Sequence, residues 1–293
     1  FNQHYYDSCD VIATISKVTD DIVKTVSPET ESVYIPHAVD SEVFKPLEKD
    51  AIQKARLDAG ISPEQTLFFW NNRNARRKQS GSLIFWFKDF LDKIGKDSAM
   101  LIMHTSTKDE AGQDLEAIVH QVGLTNGEVK FSTAKVPPHQ LAMMYNMADC
   151  TINIADAEGF GLSSLESLSC GTPVINTMTG GLQEQVTDGE NWFGIGIEPA
   201  SKAIIGSQQI PWIYEDRVSG KDVVDAFIKI HEMSDEKLAE LGSAGRDHTL
   251  KNYNFEKFNK QWIDLMTETY EKRGSWENRK MYNRWELIKM GGK

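Results

Sequence analysis

Cysteine is scarce in this chain: Cys9, Cys150 and Cys170 are the only three thiols in 293 residues. Their spacing makes neither a disulfide framework nor a metal-ligand set, and the two inside apolar runs read as buried free thiols. A reducing, cytoplasmic setting is expected from that usage. Basic residues are also in deficit, 32 lysines and arginines against 43 acids, for a formal net charge of -11. Nucleic acid and anionic lipid would be repelled at long range, so neither is an expected partner, and any anion has to be captured locally. No apolar run approaches the roughly 18 residues of a membrane-spanning helix. The opening residues FNQHYYDSCD lack the basic-then-apolar order of a signal peptide. The chain starts at Phe1 instead of methionine, which reads as a processed product or part of something longer. Internal repeats, low-complexity tracts and an Asp-x-Asp motif are all missing.

What is present is a globular composition, 40% hydrophobic, enough to bury a substantial core in one large or two medium domains. DVIATIS (10–16), KVTDDIVKTV (17–26) and SVYIP (32–36) read as strand, helix, strand. An irregular, proline-bearing connector and a helix over 50–59 follow, and a fresh domain begins at TLFFWN (66–71). From there strands near 66–71, 99–104, 128–132, 150–155 and 173–177 alternate with helices near 80–95, 111–122, 138–148, 163–170 and 181–187. That alternation is the pattern of an α/β doubly wound parallel sheet. The stripe Leu83, Trp86, Phe87, Phe90, Leu91 and Ile94 reads as core packing. Residues 199–217 show no clear period, and helices close the chain.

Two stretches carry chemistry. EGFGLSSLE (158–166) puts two carboxylates around a Gly-Phe-Gly turn where a strand hands over to a helix, the edge at which parallel sheets bind ligands. WNNRNARRKQSGS (70–82) gathers Arg73, Arg76, Arg77 and Lys78 in the same kind of loop. Both loops open on one crevice, where guanidinium, ammonium and a helix N-terminus together can neutralise a diphosphate. Glu166 has two readings: with Ser163 it matches a capping box, or it binds ligand hydroxyls. Glu158 precedes the turn and cannot cap that helix. Paired carboxylates around a phosphate site suit a ligand with diols at both ends of a diphosphate, a nucleotide sugar. Acid/base work by the pair, as in a glycoside hydrolase, would leave the basic loop without a purpose.

These residues resemble a known family. EGFGLSSLESLSCGTPVINTMTGGLQEQV looks like the signature of the retaining glycosyltransferases of family 4, or group 1, in which E-x7-E precedes a small-Gly-x-Pro-Val strand and a Gly-Gly turn. IPHAVDSEVF (35–44) is similar to that family's interdomain Pro-Asn-Gly-Val-Asp segment, and Arg73 with Lys78 reproduces its Arg-x4-Lys phosphate pair. The likeness covers residues 10 to about 190 and departs from the pattern at His37-Ala38 and at Asn72-Arg73-Asn74. It implies a GT-B fold: a remnant of a second Rossmann-like domain over 1–40, a Rossmann-like donor domain over 41–254, and helices over 255–293 that pack back on the N-terminal part. Arg73, Lys78 and Glu158 would then be catalytic, the first two stabilising charge on the diphosphate and Glu158 binding donor-sugar hydroxyls. Gly159, Phe160, Gly161, Leu162 and Ser163 would line sugar and phosphates, Glu166 would hold the ribose diol, and the base would lie near Thr133 to Val136. No metal or cofactor is implied; the substrate would be a UDP- or GDP-linked sugar and the acceptor an unspecified glycan or other molecule. A nucleotide-sugar 2-epimerase of the same fold and a non-catalytic nucleotide-sugar-binding module are the alternatives. With most of an acceptor domain absent, the chain is expected to bind donor, to transfer little sugar, and to form a homodimer through uncovered surface, with the tail bearing Trp276, Tyr282 and Trp285 packed near residues 1–36.

Overall fold

The computed structural model describes residues 2–275 together with Glu277, Asn278 and Lys280. The N-terminal unit runs α1 (Gln3–Asp7), β1 (Val11–Thr14), α2 (Lys17–Val26) and β2 (Glu31–Tyr34), with β1 and β2 parallel. Ser16 caps α2 by accepting from the Thr19 N–H at 3.3 Å. After the connector come α3 (Lys49–Asp58) and then a strand-helix alternation: β3 (Thr66–Asn71), α4 (Ser80–Ile94), β4 (Ala99–His104), α5 (Leu115–Gln121), β5 (Val129–Ser132), α6 (Pro138–Met147), β6 (Cys150–Asn153), α7 (Leu162–Ser169), β7 (Val174–Thr177), α8 (Gln183–Val186) and β8 (Gly194–Ile197). A hairpin of β9 (Ser201–Ile205) and β10 (Ile213–Arg217) leads to α9 (Gly220–His231), α10 (Asp235–Asn252) and α11 (Phe255–Arg273).

The six strands β5-β4-β3-β6-β7-β8 form one parallel sheet, the doubly wound α/β arrangement expected from the sequence. Such a sheet is covered on both faces, which is why β3 is apolar at nearly every position. Phe68 and Trp70 face Leu83, Phe87 and Phe90 of α4 and Phe227 of α9. Leu67 and Phe69 face the opposite layer, with Tyr145 of α6, Phe44 and Phe160. The strand order reverses between β3 and β6, so the loops after these two strands open side by side.

Three differences from the sequence reading have local causes. Helix α5 starts at Leu115 and not near 111, because Asp114 takes the capping position and accepts from the Ala117 N–H at 3.0 Å. The stretch without clear period is the β9–β10 hairpin; its inward face carries the buried Glu215, so an apolar alternation never develops. On α11 only Leu265 is buried, while Phe255, Ile263, Met266 and Tyr270 remain exposed. The Lys272 ammonium lies 3.6 Å from Glu31, which sets the end of α11 beside β2. The expected packing of Trp276, Tyr282 and Trp285 falls outside the described residues. Among the described residues no helix is long and apolar enough to cross a membrane.

Candidate functional site

The two loops singled out from the sequence meet at the sheet's switch point. A 3-10 turn over Arg76–Lys78 ends the basic loop, and its Lys78 side chain is 8% exposed and paired with Glu158, itself 12% exposed. Lys78 also donates to Asn72 Oδ1 at 2.7 Å. Burial lowers the Lys78 pKa below the ordinary lysine value of 10.5, against the opposing pull of Glu158. Arg77 donates to the Ala157 carbonyl at 2.7 Å and stands 3.7 Å from Glu158. The Asn72 Nδ2 is buried with no acceptor among the described residues, a condition that costs about 1–3 kcal/mol unless something else accepts from it.

The four cations of this loop do not form one patch. Arg73 is exposed and held by Asp109, to which it donates twice at 2.8 and 2.9 Å, and those bonds hold the Asp109 pKa down to about 2. Arg76 makes a two-pronged pair with Glu215 at 2.9 and 2.6 Å. Of the four, only Arg77 and Lys78 face Glu158. Arg73 and Lys78, expected from the sequence to act as a pair, are held by different carboxylates, Asp109 and Glu158.

The turn between β6 and α7 explains its glycines. Gly161 is the residue before the helix and has φ 96°, a conformation that favours glycine, and a Cβ there would come within 2.4 Å of Leu182. Helix α7 then starts at Leu162, leaving the Leu162 and Ser163 amides without helical partners, while the Ser164 amide donates to the Gly161 carbonyl at 3.1 Å. Ser163 is therefore inside the helix and caps nothing, which removes the capping-box reading of Glu166. Instead Glu166 accepts from the buried Tyr145 hydroxyl at 2.7 Å, and that hydroxyl accepts from Asn71 at 2.7 Å. Burial raises the Glu166 pKa above 4.5, with the Tyr145 bond working the other way. Gly159 and Leu162 are exposed at the crevice. Phe160 is buried, edge-on to His37 at 5.1 Å and to Tyr253 at 5.8 Å, so its side chain belongs to the core and only its backbone lines the turn. Thr133 is exposed and Val136 half-buried in the loop after the edge strand β5.

Sequence reasoning missed Asp109, Asp156, Glu215 and Arg217. Asp156, three residues past β6, was the one with a signal, a carboxylate in the loop after the strand and two residues before Glu158. A cleft of about 520 Å³ lies elsewhere, between Lys17 and Tyr34 of the N-terminal unit and Phe193, His248 and Lys251; none of the predicted site residues lines it. Glu184 ties that junction, accepting from the Tyr34 hydroxyl at 2.7 Å.

Comparison with known proteins adds the family. Residues 53–246 match the model of the glycosyl transferases group 1. D-inositol 3-phosphate glycosyltransferase of Corynebacterium jeikeium is 26% identical over 194 residues, 64% of this chain and 46% of that protein. Alpha-maltose-1-phosphate synthase of Mycolicibacterium smegmatis is 19% identical over 260 residues, 87% of this chain and 62% of that one. The chain thus spans about half of the curated relatives it matches. Among solved structures, sucrose-phosphate synthase from Thermosynechococcus elongatus superposes with a TM-score of 0.73 at 21% identity, covering 92% of this chain and 61% of that one. HepE of Anabaena in complex with UDP-glucose superposes at 0.71 with 16% identity, covering 92% and 68%. These likenesses give the fold as GT-B type. With two-thirds of its length inside the matched region, the chain belongs to the glycosyl transferases group 1.

Proposed function

We propose that this chain carries the donor half of a retaining, family 4 glycosyltransferase that takes a sugar from a UDP- or GDP-linked donor without a metal ion. The observation that carries the reading is the switch-point junction: Lys78 and Glu158 paired beside the start of α7, next to an Asn72 amide that lacks an acceptor among the described residues. In the proposed complex the diphosphate takes Lys78 and the α7 amides, and donor-sugar hydroxyls take Glu158, so one internal ion pair is exchanged for two contacts to ligand. As the sugar–phosphate bond breaks, negative charge grows on the diphosphate, and the buried ammonium stabilises it in a site where water screens little. The loop's cations supply charge that a divalent ion supplies in other transferases. Donor binding is the activity that these contacts support. Calorimetric titration with UDP- and GDP-sugars, with and without a chelator, tests the reading; no heat with any of them refutes it. The α or β configuration of sugar released by slow donor hydrolysis tests retention.

Two further outcomes follow. Arg73 has to leave Asp109 to reach a phosphate, so Asp109→Asn should tighten nucleoside diphosphate binding severalfold while Arg73→Ala weakens it about tenfold or more. Equal affinities in both variants would take Arg73 out of the site. Glu166 should hold a ribose diol as a carboxylate, so nucleotide affinity should fall on acidification, starting above pH 4.5 because burial raises this pKa. Glu166→Gln should bind nucleotide about tenfold more weakly, with a flattened pH profile, and change stability by no more than about 1 kcal/mol, since the amide oxygen still accepts from Tyr145. A lowered melting temperature with unchanged affinity would make Glu166 structural.

A further inference from the structure

The carboxylate cluster behind the basic loop has no part in the donor contacts above, yet it joins the basic loop, the loop after β6 and strand β10. Asp156 has a side chain 1% exposed. Both of its oxygens accept from the Gln79 amide, at 2.8 and 2.7 Å, and it also pairs with Arg217. Its backbone is used as fully: the N–H donates to the Arg77 carbonyl at 2.8 Å, and the carbonyl accepts from the Asp216 N–H on β10 at 2.8 Å. From the other side, Glu215 of β10 receives Arg76 through two bonds and Arg217 at 3.1 Å. Two guanidinium groups and two carboxylates thus cancel, and the cluster offers the crevice no net charge. What it fixes is the backbone from Arg76 to Gln79, the turn that aims Lys78.

Gln79 shows that this turn is held under tension. At φ 57° it is the one non-glycine residue with a left-handed backbone among the described residues, a conformation that an L side chain adopts at a cost. It precedes α4 but makes no side-chain capping bond; its amide is spent on Asp156 and its carbonyl oxygen accepts from Ser82 at 2.6 Å. A glycine would fit the backbone better and lose the clamp. Such an arrangement is economical only if the place of Lys78, the neighbouring residue, matters more than local ease.

We propose that the β9–β10 hairpin is a brace for the donor site, with Asp156, Glu215 and Gln79 acting as positioning residues that hold the Arg76–Gln79 turn so that Lys78 meets the diphosphate. The inference rests on the donor reading and deepens it. Gln79→Gly and Glu215→Gln are the decisive variants, titrated calorimetrically with UDP, GDP and the corresponding nucleosides, alongside thermal unfolding. Gln79→Gly relieves the left-handed strain but gives up the bonds to Asp156, and it should bind the diphosphate at least tenfold more weakly with nucleoside affinity unchanged. Glu215→Gln should show the same split between diphosphate and nucleoside. Unchanged diphosphate affinity in Gln79→Gly overturns the brace, and so does a parallel fall in diphosphate affinity, nucleoside affinity and melting temperature. If the unsubstituted protein binds neither UDP nor GDP, the donor reading falls, and the brace with it.

Discussion

Replacing Lys78 by alanine is expected to lower the free energy of unfolding by about 3 kcal/mol, within the 3–5 kcal/mol range for removing one partner of a buried ion pair. The cost comes from Glu158, left at 12% exposure without its ammonium partner. Arg77, 3.7 Å away, offsets part of the loss, which places the value at the low end. Glu158→Gln should cost less, since Lys78 retains Asn72 as an acceptor. Lys78→Met with Glu158→Leu should recover most of the stability, because two apolar groups of similar volume need no partner, and chemical denaturation of the unsubstituted protein, Lys78→Met, Glu158→Leu and the double variant closes the cycle. Additive losses would mean that the pair is not coupled. Binding should follow the opposite logic: every one of these variants should lose nucleoside diphosphate affinity, the double variant included. The pH dependence has a definite sign. A lysine with a lowered pKa sheds its proton earlier as pH rises, so diphosphate affinity should decline at a pH below the 10.5 of an ordinary lysine. Over the same window the unfolded chain binds more protons than the folded one, so Lys78 makes stability rise with pH there. Lys78→Met should abolish both slopes.

Much of this architecture was legible in the sequence, and the reasons are local. TLFFWN and AMLIMH are buried on both faces, so an uninterrupted apolar run states their place in a parallel sheet, and both strands have the expected bounds, Thr66–Asn71 and Ala99–His104. The facing of the two chemically marked loops was legible as well, because strand-to-helix loops of a parallel sheet share one edge. The Lys78–Glu158 junction is what that topology predicts. Side-chain partners were a different matter. Ser163 to Glu166 carries the spacing of a capping box, but one glycine with a left-handed backbone at Gly161 starts the helix at Leu162 and frees Glu166 for Tyr145, 21 residues away. The hold of Asp109 on Arg73 spans 36 residues and that of Glu215 on Arg76 spans 139. Nothing periodic or compositional encodes such pairs; they exist only once the sheet has set the loops beside one another. The same cause hid the hairpin, whose inner face is filled by charges that cancel.

Gly180→Ala should be the more severe of two alanine substitutions with nearly the same backbone demand. Gly180 has φ 48° and Gly123 has φ 75°, so each alanine pays a left-handed strain of about 1–2 kcal/mol. A Cβ at Gly123 would meet nothing within 4 Å. At Gly180 it would stand 1.8 Å from the Glu158 carbonyl oxygen, and a backbone atom cannot rotate aside as a side-chain terminus can. Overpacking of that kind adds about 1–3 kcal/mol, for a total of about 2–5 kcal/mol, and the difference between the two variants isolates the clash. Its functional consequence follows from what has to move. The Gly181 N–H donates to the Glu158 carbonyl at 3.3 Å, and a Cβ on Gly181 would come within 2.7 Å of the Phe160 Cα, so the Gly-Gly turn is the floor on which Glu158 to Phe160 rest. Pushing that floor away shifts Glu158 relative to Lys78 and tilts the first turn of α7. Denaturant unfolding and calorimetry with a nucleoside diphosphate should therefore separate the pair: Gly123→Ala loses about 1–2 kcal/mol of stability and no affinity, whereas Gly180→Ala loses more stability and binds weakly even at temperatures where it is fully folded. Equal stability losses in the two variants would show that the turn can yield, and intact affinity in Gly180→Ala would show that the crevice does not depend on it.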